Sequence, residues 1–90
     1  MFFNWDTSKN RSNIAKHGID FFDAKEIFNF PMVIKVDNRF DYGEKRWISI
    51  GLLGKIIIVM VFTLRGESIR IISARKASQK EKNIYYEKLR

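Results

Sequence analysis

The chain has 90 residues, a length that predicts one domain with a single core. Its 46% hydrophobic and 14% aromatic content excludes a disordered chain, and the lack of cysteine excludes disulfides, thiolate chemistry and cysteine-based zinc sites. The net charge of +7 lies mostly in residues 65–90, where eight Lys/Arg face three Asp/Glu. The usual target of such a cluster is a phosphate backbone, but the charge alone slightly favours the alternative, a solvated basic face.

The N-terminal part of the chain predicts a short strand and then a helix. Residues 2–5 have the composition of a short strand. Asp6 or Thr7 can cap the helix that follows, because short polar side chains accept hydrogen bonds from the free N–H groups of a first turn. We expect this helix to end near His17, because Gly18 suits the positive φ of a helix C-terminus.

A second helix is predicted over residues 21–29. Asp20 can cap it, and apolar residues recur within it at helical spacing, so it should bury one face. Pro31 is expected to end it, because proline disfavours the helical conformation of the residue before it.

Beyond Pro31 the apolar pattern has a period of two, which is typical of strands. Short turns separate the runs, and this arrangement predicts an antiparallel meander. The third run is β-branched and fits a central strand buried on both faces. The predicted strands are residues 32–37, 46–53, 56–64 and 68–74. The predicted core comprises Phe28, Ile48, Ile50, Ile57, Val59, Val61, Ile69 and Ile71.

The C-terminal segment predicts a last helix. Ser78 and Glu81 have the spacing of a capping box. The helix has a narrow apolar face formed by Ile84, Tyr85 and Leu89. The element order predicts one α+β domain over residues 1–90, an antiparallel sheet of four to five strands with two N-terminal helices and one C-terminal helix.

Two features of the sequence bear on location. The longest apolar run, residues 56–62, is far shorter than the roughly 20 residues that a transmembrane helix needs. The N-terminus lacks the basic flank and apolar run of a signal peptide. We therefore expect a soluble, cytoplasmic protein that makes no membrane contact.

Most kinds of site chemistry lack their residues in this sequence. One histidine and no cysteine leave no metal-ligand pattern, and the five glycines form no phosphate-binding loop, so neither a metal nor a cofactor is predicted. What remains is a set of cations within or at the ends of the predicted strands. These are Arg46, Arg65, Arg70, Arg75 and Lys76.

Guanidinium groups on neighbouring strands can bind a phosphodiester and stabilise the added negative charge of a five-coordinate transition state. RNA cleavage needs little more, because the 2′-OH is an internal nucleophile. A modest base and acid would complete such a site. The candidate catalytic cations are Arg46, Arg65, Arg70 and Arg75, and the candidates for proton transfer are His17, Glu44 and Tyr85.

Structural alternatives exist for several of these residues. Arg46 and Arg70 are equally placed to form cross-strand ion pairs with Glu44 or Glu67. His17 can act as a base near neutral pH, or it can donate to the carbonyl groups at the end of the first helix. The sequence favours the structural alternative for each arginine taken singly and for His17.

A further set of residues is expected to contact RNA directly. These are Lys16, Arg39, Tyr42, Lys76 and Lys80. Tyr42 lies in a polar turn beside Arg39 and is the favoured base-stacking residue. Trp5 and Trp47 are expected in the core instead.

Three segments together resemble the BrnT family of bacterial type II toxins. They are WDTSKNRSNIAKHGIDF (5–21), DYGEKRWISIG (41–51) and RIISARKA (70–77), and the resemblance extends over residues 3–86. The matched positions are Trp5, Asp6, Lys9, Asn13, Lys16, His17, Gly18, Ile19, Tyr42, Gly43, Glu44, Arg46, Arg70, Ser73, Ala74, Arg75, Ala77 and Glu81.

The resemblance implies a RelE-like fold and a ribonuclease that inhibits translation. It also implies a cognate BrnA-type antitoxin that binds operator DNA, so the toxin would reach DNA only indirectly, within a toxin–antitoxin hetero-oligomer with or without contacts between two toxin chains. Two other functions stay open at this point: a non-catalytic nucleic-acid-binding module, and an interaction subunit of a transcriptional autorepressor complex.

Overall fold

The computed structural model of the chain describes residues 1–89. The strands are β1 (Phe2–Asn4), β2 (Val33–Val36), β3 (Arg46–Leu53), β4 (Ile56–Arg65) and β5 (Ser68–Lys76). The helices are α1 (Thr7–His17), α2 (Phe21–Ala24) and α3 (Gln79–Lys88), and a 3₁₀ helix (Lys25–Asn29) follows α2 directly.

The strands form one sheet in the order β1-β5-β4-β3-β2. Strands β2 to β5 are antiparallel neighbours, as predicted. Strand β1 is parallel to β5, with Phe2 opposite Ser68 and Asn4 opposite Arg70. The α+β class is confirmed, but the prediction of a purely antiparallel sheet is wrong. Strand β1 has only three residues, and no hairpin joins it to its neighbour. The sequence therefore does not indicate which edge of the sheet β1 joins.

The prediction of a continuous second helix is also wrong. Asp20 does cap α2, accepting a hydrogen bond from the Phe22 N–H at 2.9 Å, but the helix tightens into the 3₁₀ segment after Ala24. That segment ends at Phe30, whose backbone is extended with φ −130° and ψ 161°. Pro31 explains this ending, because the proline ring clashes with a helical residue before it.

The helices pack against both faces of the sheet. One apolar cluster joins α2 and the 3₁₀ helix to Ile58, Met60 and Phe62 of β4, and a smaller one joins α3 to Ile57 and Val59. Successive residues of a strand point to opposite faces, so the two clusters lie on opposite sides of the sheet. We call the side covered by α3 the α3 face.

The buried core overlaps only partly with the predicted one. Of the predicted residues, Ile50, Ile57, Val59, Val61, Ile69 and Ile71 are buried, whereas Phe28 and Ile48 are half-buried. The larger cluster instead contains Phe21, Ile27, Ile58, Met60 and Phe62. Strand β4 is apolar at consecutive positions. The sequence therefore does not show which of the two alternating sets of β4 side chains packs under α2 and the 3₁₀ helix.

Gly51 sets how closely the 3₁₀ helix approaches β3. A Cβ atom at this position would lie 2.9 Å from the Ile27 Cβ, closer than two carbons can pack. We expect Gly51→Ala to lower the free energy of unfolding by about 1–3 kcal/mol, the usual cost of overpacking, measured by urea denaturation. An unchanged or raised stability would contradict this, since alanine otherwise suits a strand better than glycine.

Candidate nucleic-acid interface

The four arginines predicted to be catalytic all belong to the α3 face. Arg46 lies opposite Thr63, and Thr63 lies opposite Arg70 on the next strand. Arg75 lies opposite Val59, which is four residues before Thr63 on β4. Arg65 is two residues after Thr63 on the same strand. Side chains two or four apart on a strand share a face, so the sheet presents all four arginines on one side.

A β-bulge makes this shared face possible. Arg70 and Arg75 are five residues apart, and an odd spacing in a regular strand places two side chains on opposite faces. The pairing of β4 with β5 shifts between Val61 and Phe62, which lie opposite Ser73 and Ile71. Ile72 is the additional residue, and it restores Arg75 to the face of Arg70.

A cavity of about 340 Å³ opens on the α3 face. Its floor is apolar apart from one hydroxyl and is formed by Ile48, Ile50, Val59, Val61 and Ser73, with Ile84 at the side of α3. Its charged lining residues are Lys35, Arg39, Arg75 and Glu81. Three cations and one carboxylate therefore line the cavity. We call it the arginine cavity.

Arg75 is held in this cavity by Glu81. Its two terminal nitrogens donate to the Glu81 carboxylate at 2.7 and 2.8 Å, and the same carboxylate accepts the Ser78 N–H in the capping box of α3. The Arg75 hydrogen bonds lower the pKa of Glu81 to about 2, and Glu81 in turn raises the pKa of Arg75. The guanidinium is thus fixed in place while 42% of its side chain stays exposed.

Arg39 is held at the opposite wall by a buried carboxylate. Its Nε and one terminal nitrogen donate to Asp37 at 2.9 Å each, and the Tyr42 hydroxyl donates to the same group at 3.0 Å. The Asp37 side chain is fully buried, and these bonds keep its pKa well below the usual range. The charge of Arg39 acts on Arg75, opposing the rise in the Arg75 pKa, so the two guanidiniums are close electrostatic neighbours.

The other arginines form a second group on the same face. Glu44 accepts from Arg46 at 3.3 Å and from Arg65 at 3.4 Å, and Arg46 also stacks on the Tyr42 ring at 4.1 Å. Arg70 donates to the Asn4 side chain at 3.1 Å. The rows that carry Arg70 and Arg75 are about 13 Å apart, at roughly 3.3 Å per residue. The four arginines therefore share a face without converging on one point.

These contacts bear on the structural alternatives for the arginines. Arg46 does pair with Glu44, although the two are neighbours at the start of β3 rather than partners across strands. Arg70 bonds to Asn4 of the parallel strand β1. The pairing of β1 with β5, which the sequence did not reveal, supplies this partner.

His17 and Lys16 lie elsewhere, at the exposed end of α1. With Lys9, Ser12 and Asn13 they line a cavity of about 260 Å³. Gly18 ends the helix in the left-handed conformation, with φ 70°. Ser73 lines both this cavity and the arginine cavity, so the two meet at the β-bulge.

The remaining predicted residues belong to the α3 region. Tyr85 packs against the smaller apolar cluster and contacts the Tyr86 ring edge-on at 5.7 Å. Lys76 ends β5 and lines a further basic cavity of about 320 Å³ with Lys55 and Lys82. Lys80 is exposed in the first turn of α3.

Sequence reasoning missed three residues of the arginine cavity: Lys35, Ser73 and Glu81. The sequence indicates a capping role for Glu81 and places Ser73 within RIISARKA, but it assigns neither residue to the site. Lys35 lies between Ile34 and Val36 in β2. A polar residue between two apolar ones is typical of any half-exposed strand. Only the sheet register shows that Lys35 lies opposite Ile48, which in turn lies opposite Val61.

Two kinds of feature are absent from residues 1–89. No group of three or more histidine, cysteine, aspartate or glutamate side chains in this part of the chain is placed to hold a metal ion. None of the helices described is long and apolar enough to cross a membrane.

The low pKa values of Asp37 and Glu81 predict acid sensitivity. Both fall below their ordinary values of 3.8 and 4.5, so in acid the folded state binds fewer protons than the unfolded state. The stabilisation is present above pH 4.5 and is lost as the pH falls towards 2. We expect urea denaturation at pH 7, 5, 4 and 3 to show this loss, and Glu81→Gln to fall less steeply. Parallel pH profiles for the two proteins would contradict the assignment to Glu81.

The fold and the cavity together define a small basic α+β protein with fixed guanidinium groups on one face of its sheet. The family model described as "Ribonuclease toxin, BrnT, of type II toxin-antitoxin system" matches residues 5–81, a span that includes all four arginines and ends at Glu81. The chain belongs to this BrnT toxin family, which confirms the resemblance seen in the sequence. A comparison with curated proteins gave no match.

Proposed function

We propose that this ribonuclease toxin cleaves RNA without a metal ion, by attack of a ribose 2′-OH on the adjacent phosphodiester, and so inhibits translation. The observation that carries the proposal is the Arg75 guanidinium, fixed by Glu81 in a cavity that also holds Arg39 and Lys35. A fixed cation stabilises charge that develops during the reaction, because it needs no reorganisation at that moment.

In the proposed reaction the 2′-oxygen forms a bond to phosphorus while the bond to the 5′-oxygen breaks. The products are a 2′,3′-cyclic phosphate and a free 5′-hydroxyl. One proton leaves the 2′-OH and one is delivered to the departing 5′-oxygen. The phosphorane between these steps carries extra negative charge, and a guanidinium that binds it more tightly than the ground state lowers the barrier.

Our proposed assignment of roles keeps the sequence candidates. The residues proposed to hold the scissile phosphate are drawn from Arg46, Arg65, Arg70 and Arg75, and those proposed for proton transfer from His17, Glu44 and Tyr85. The contact of the two cavities at Ser73 supports His17, since a bound strand could cross from one cavity to the other. The proposed RNA contacts are Lys16, Arg39, Tyr42, Lys76 and Lys80.

The test is incubation of purified protein with RNA in excess EDTA, with analysis of the product ends. Cleavage with 2′,3′-cyclic phosphate ends would support the proposal. RNA binding without cleavage, seen as a gel shift, would favour the non-catalytic binding module. Binding should weaken with salt, with a log–log slope of about 0.7 per phosphate contacted.

For the partner, we propose a BrnA-type antitoxin that neutralises this single toxin domain (residues 1–90) in the cytoplasm and alone contacts operator DNA. The edge strand β2 supports a protein contact, because its outer edge is unpaired among residues 1–89 and Ile34 and Val36 are 47% and 37% exposed. Co-purification with the product of the adjacent gene, followed by light scattering, would test the complex. It would also show whether two toxin chains contact each other.

A further inference from the structure

Phe40 is an exposed aromatic residue of the loop that also supplies Arg39 to the arginine cavity. It lies in the loop between β2 and β3, directly after Arg39, and 70% of it is exposed. Its ring contacts Tyr42 edge-on, with the ring centroids 5.8 Å apart and the planes at 73°. Exposing an apolar ring to water is unfavourable, so a ring presented in this way gains free energy when a flat apolar ligand covers it.

The loop that carries Phe40 is held in place by polar contacts. Asp37 binds Arg39 and the Tyr42 hydroxyl, and the Gly43 N–H donates to Asp41 at 3.0 Å. Arg46 covers one side of the Tyr42 ring at 4.1 Å. Tyr42, the stacking candidate of the sequence, thus has its hydroxyl and one ring face in use, while Phe40 is presented outward.

The surroundings of Phe40 match a single nucleotide. Arg39, the residue before Phe40, lines the cavity that also holds Arg75, so the loop that presents the exposed ring also supplies one of the two guanidiniums of the cavity. Proteins that bind single-stranded RNA combine cations that contact the phosphates with aromatic rings on which the bases stack. A protein partner would explain the exposed ring alone, whereas a nucleotide explains the ring and the adjoining guanidiniums together.

We infer that Phe40 is a base-stacking residue, which receives the nucleobase next to the phosphate bound by Arg39 and Arg75. The inference rests on the proposed function, because it takes single-stranded RNA as the ligand of this face. It adds a base subsite at Phe40 to the proposed contacts between the arginines and the RNA backbone. Because every base has an aromatic face, this subsite supplies affinity with little sequence preference.

The experiment measures binding of fluorescein-labelled octanucleotides by fluorescence anisotropy. All probes carry 2′-O-methyl groups, which remove the nucleophile and prevent cleavage. One probe has every base, and eight others lack the base at one position each. We expect Phe40→Ala to weaken binding of the complete probe roughly 5- to 150-fold, the range found for loss of one base–aromatic stack, and Phe40→Trp to retain it.

The abasic probes make the test specific. The probe that lacks the stacked base should bind wild-type protein more weakly by a similar factor. Phe40→Ala should not weaken the binding of that probe any further. Phe22→Ala is the matched control, because Phe22 is also an exposed phenylalanine, 59% exposed, but belongs to α2 rather than to the loop. It should bind all probes as the wild type does.

Three results would overturn the inference. If Phe40→Ala binds the complete probe as tightly as wild type, the stacking role is wrong while RNA binding stands. If RNA binding is unchanged but the variant no longer binds the co-purified partner, Phe40 is a protein contact. If wild-type protein binds none of the probes, the proposed RNA-binding function fails, and the base subsite fails with it.

Discussion

Arg75→Ala is expected to lower the rate of RNA cleavage roughly 10²–10³-fold, the usual cost of removing one preorganised charge-stabilising donor. Arg75 is held in the arginine cavity by the two hydrogen bonds that it donates to Glu81, and 42% of its side chain stays open to a ligand. Single-turnover cleavage of a labelled RNA would measure the effect. Growth arrest on expression should fall in parallel.

Two controls separate geometry from charge. Arg75→Lys keeps the charge but loses the paired donors, so we expect it to recover only part of the rate. Arg11→Ala removes the same charge from the exposed surface of α1, and it should leave the rate nearly unchanged. A normal rate for Arg75→Ala, or an equal loss for Arg11→Ala, would show that Arg75 has no special place in the reaction.

Folding should survive the loss of Arg75, although with lower stability. The Arg75–Glu81 pair is partly exposed, and pairs of this kind contribute about 1 kcal/mol or less. Glu81→Gln tests the pair from the other side, because it keeps the shape of the side chain but removes its charge. We expect a lower rate at saturating RNA with little change in RNA affinity, as for a residue that orients Arg75.

Asn13→Ala is expected to cause the largest loss of stability among polar substitutions, about 2–4 kcal/mol, because it leaves several buried backbone groups without partners. The Asn13 amide donates to the carbonyls of Ile19 and Ala74 at 2.9 and 2.8 Å, and its oxygen accepts the Ala74 N–H at 3.1 Å. Asn13 is only 7% exposed. Strand β1 pairs with β5 only as far as Arg70. Beyond that point the Asn13 side chain bonds to the β5 backbone at Ala74, as a neighbouring strand would.

Urea denaturation of the variant would measure this loss. Asn83→Ala is a suitable control, because Asn83 is an exposed residue of α3 whose side chain bonds to Gln79. It should change stability by no more than about 0.5 kcal/mol, as is usual for surface positions. An Asn13 variant as stable as this control would show that water replaces the lost hydrogen bonds.

The parts of the fold that local chemistry determines were predictable from the sequence. Asp6 caps α1, Gly18 ends it with a positive φ, and Ser78 and Glu81 form the capping box as expected. Strand β3 also has the predicted bounds. Each of these features depends on residues only a few positions apart, so the sequence contains the whole signal.

The features that sequence reasoning missed depend on contacts between distant segments. The parallel edge position of β1, the sheet face on which Met60 and Phe62 pack, and the bond from Arg70 to Asn4 all follow from strand order. The same is true of the cavity. Charge clustering predicted a basic surface, but only the register of five strands shows that Lys35, Arg39 and Arg75 surround one space.

The β-bulge at Ile72 has a consequence for how the length of β5 can change during evolution. In most strands the gain or loss of one residue inverts the side chains on one side of the change, and the hydrophobic pattern is destroyed. Here the bulge already contains one such addition, and the sheet has adapted to it. A lineage that lost Ile72 would have a regular strand in which Arg70 and Arg75 are four residues apart and still lie on one face. Strand β5 can therefore shorten at this one position without turning either arginine away from the α3 face.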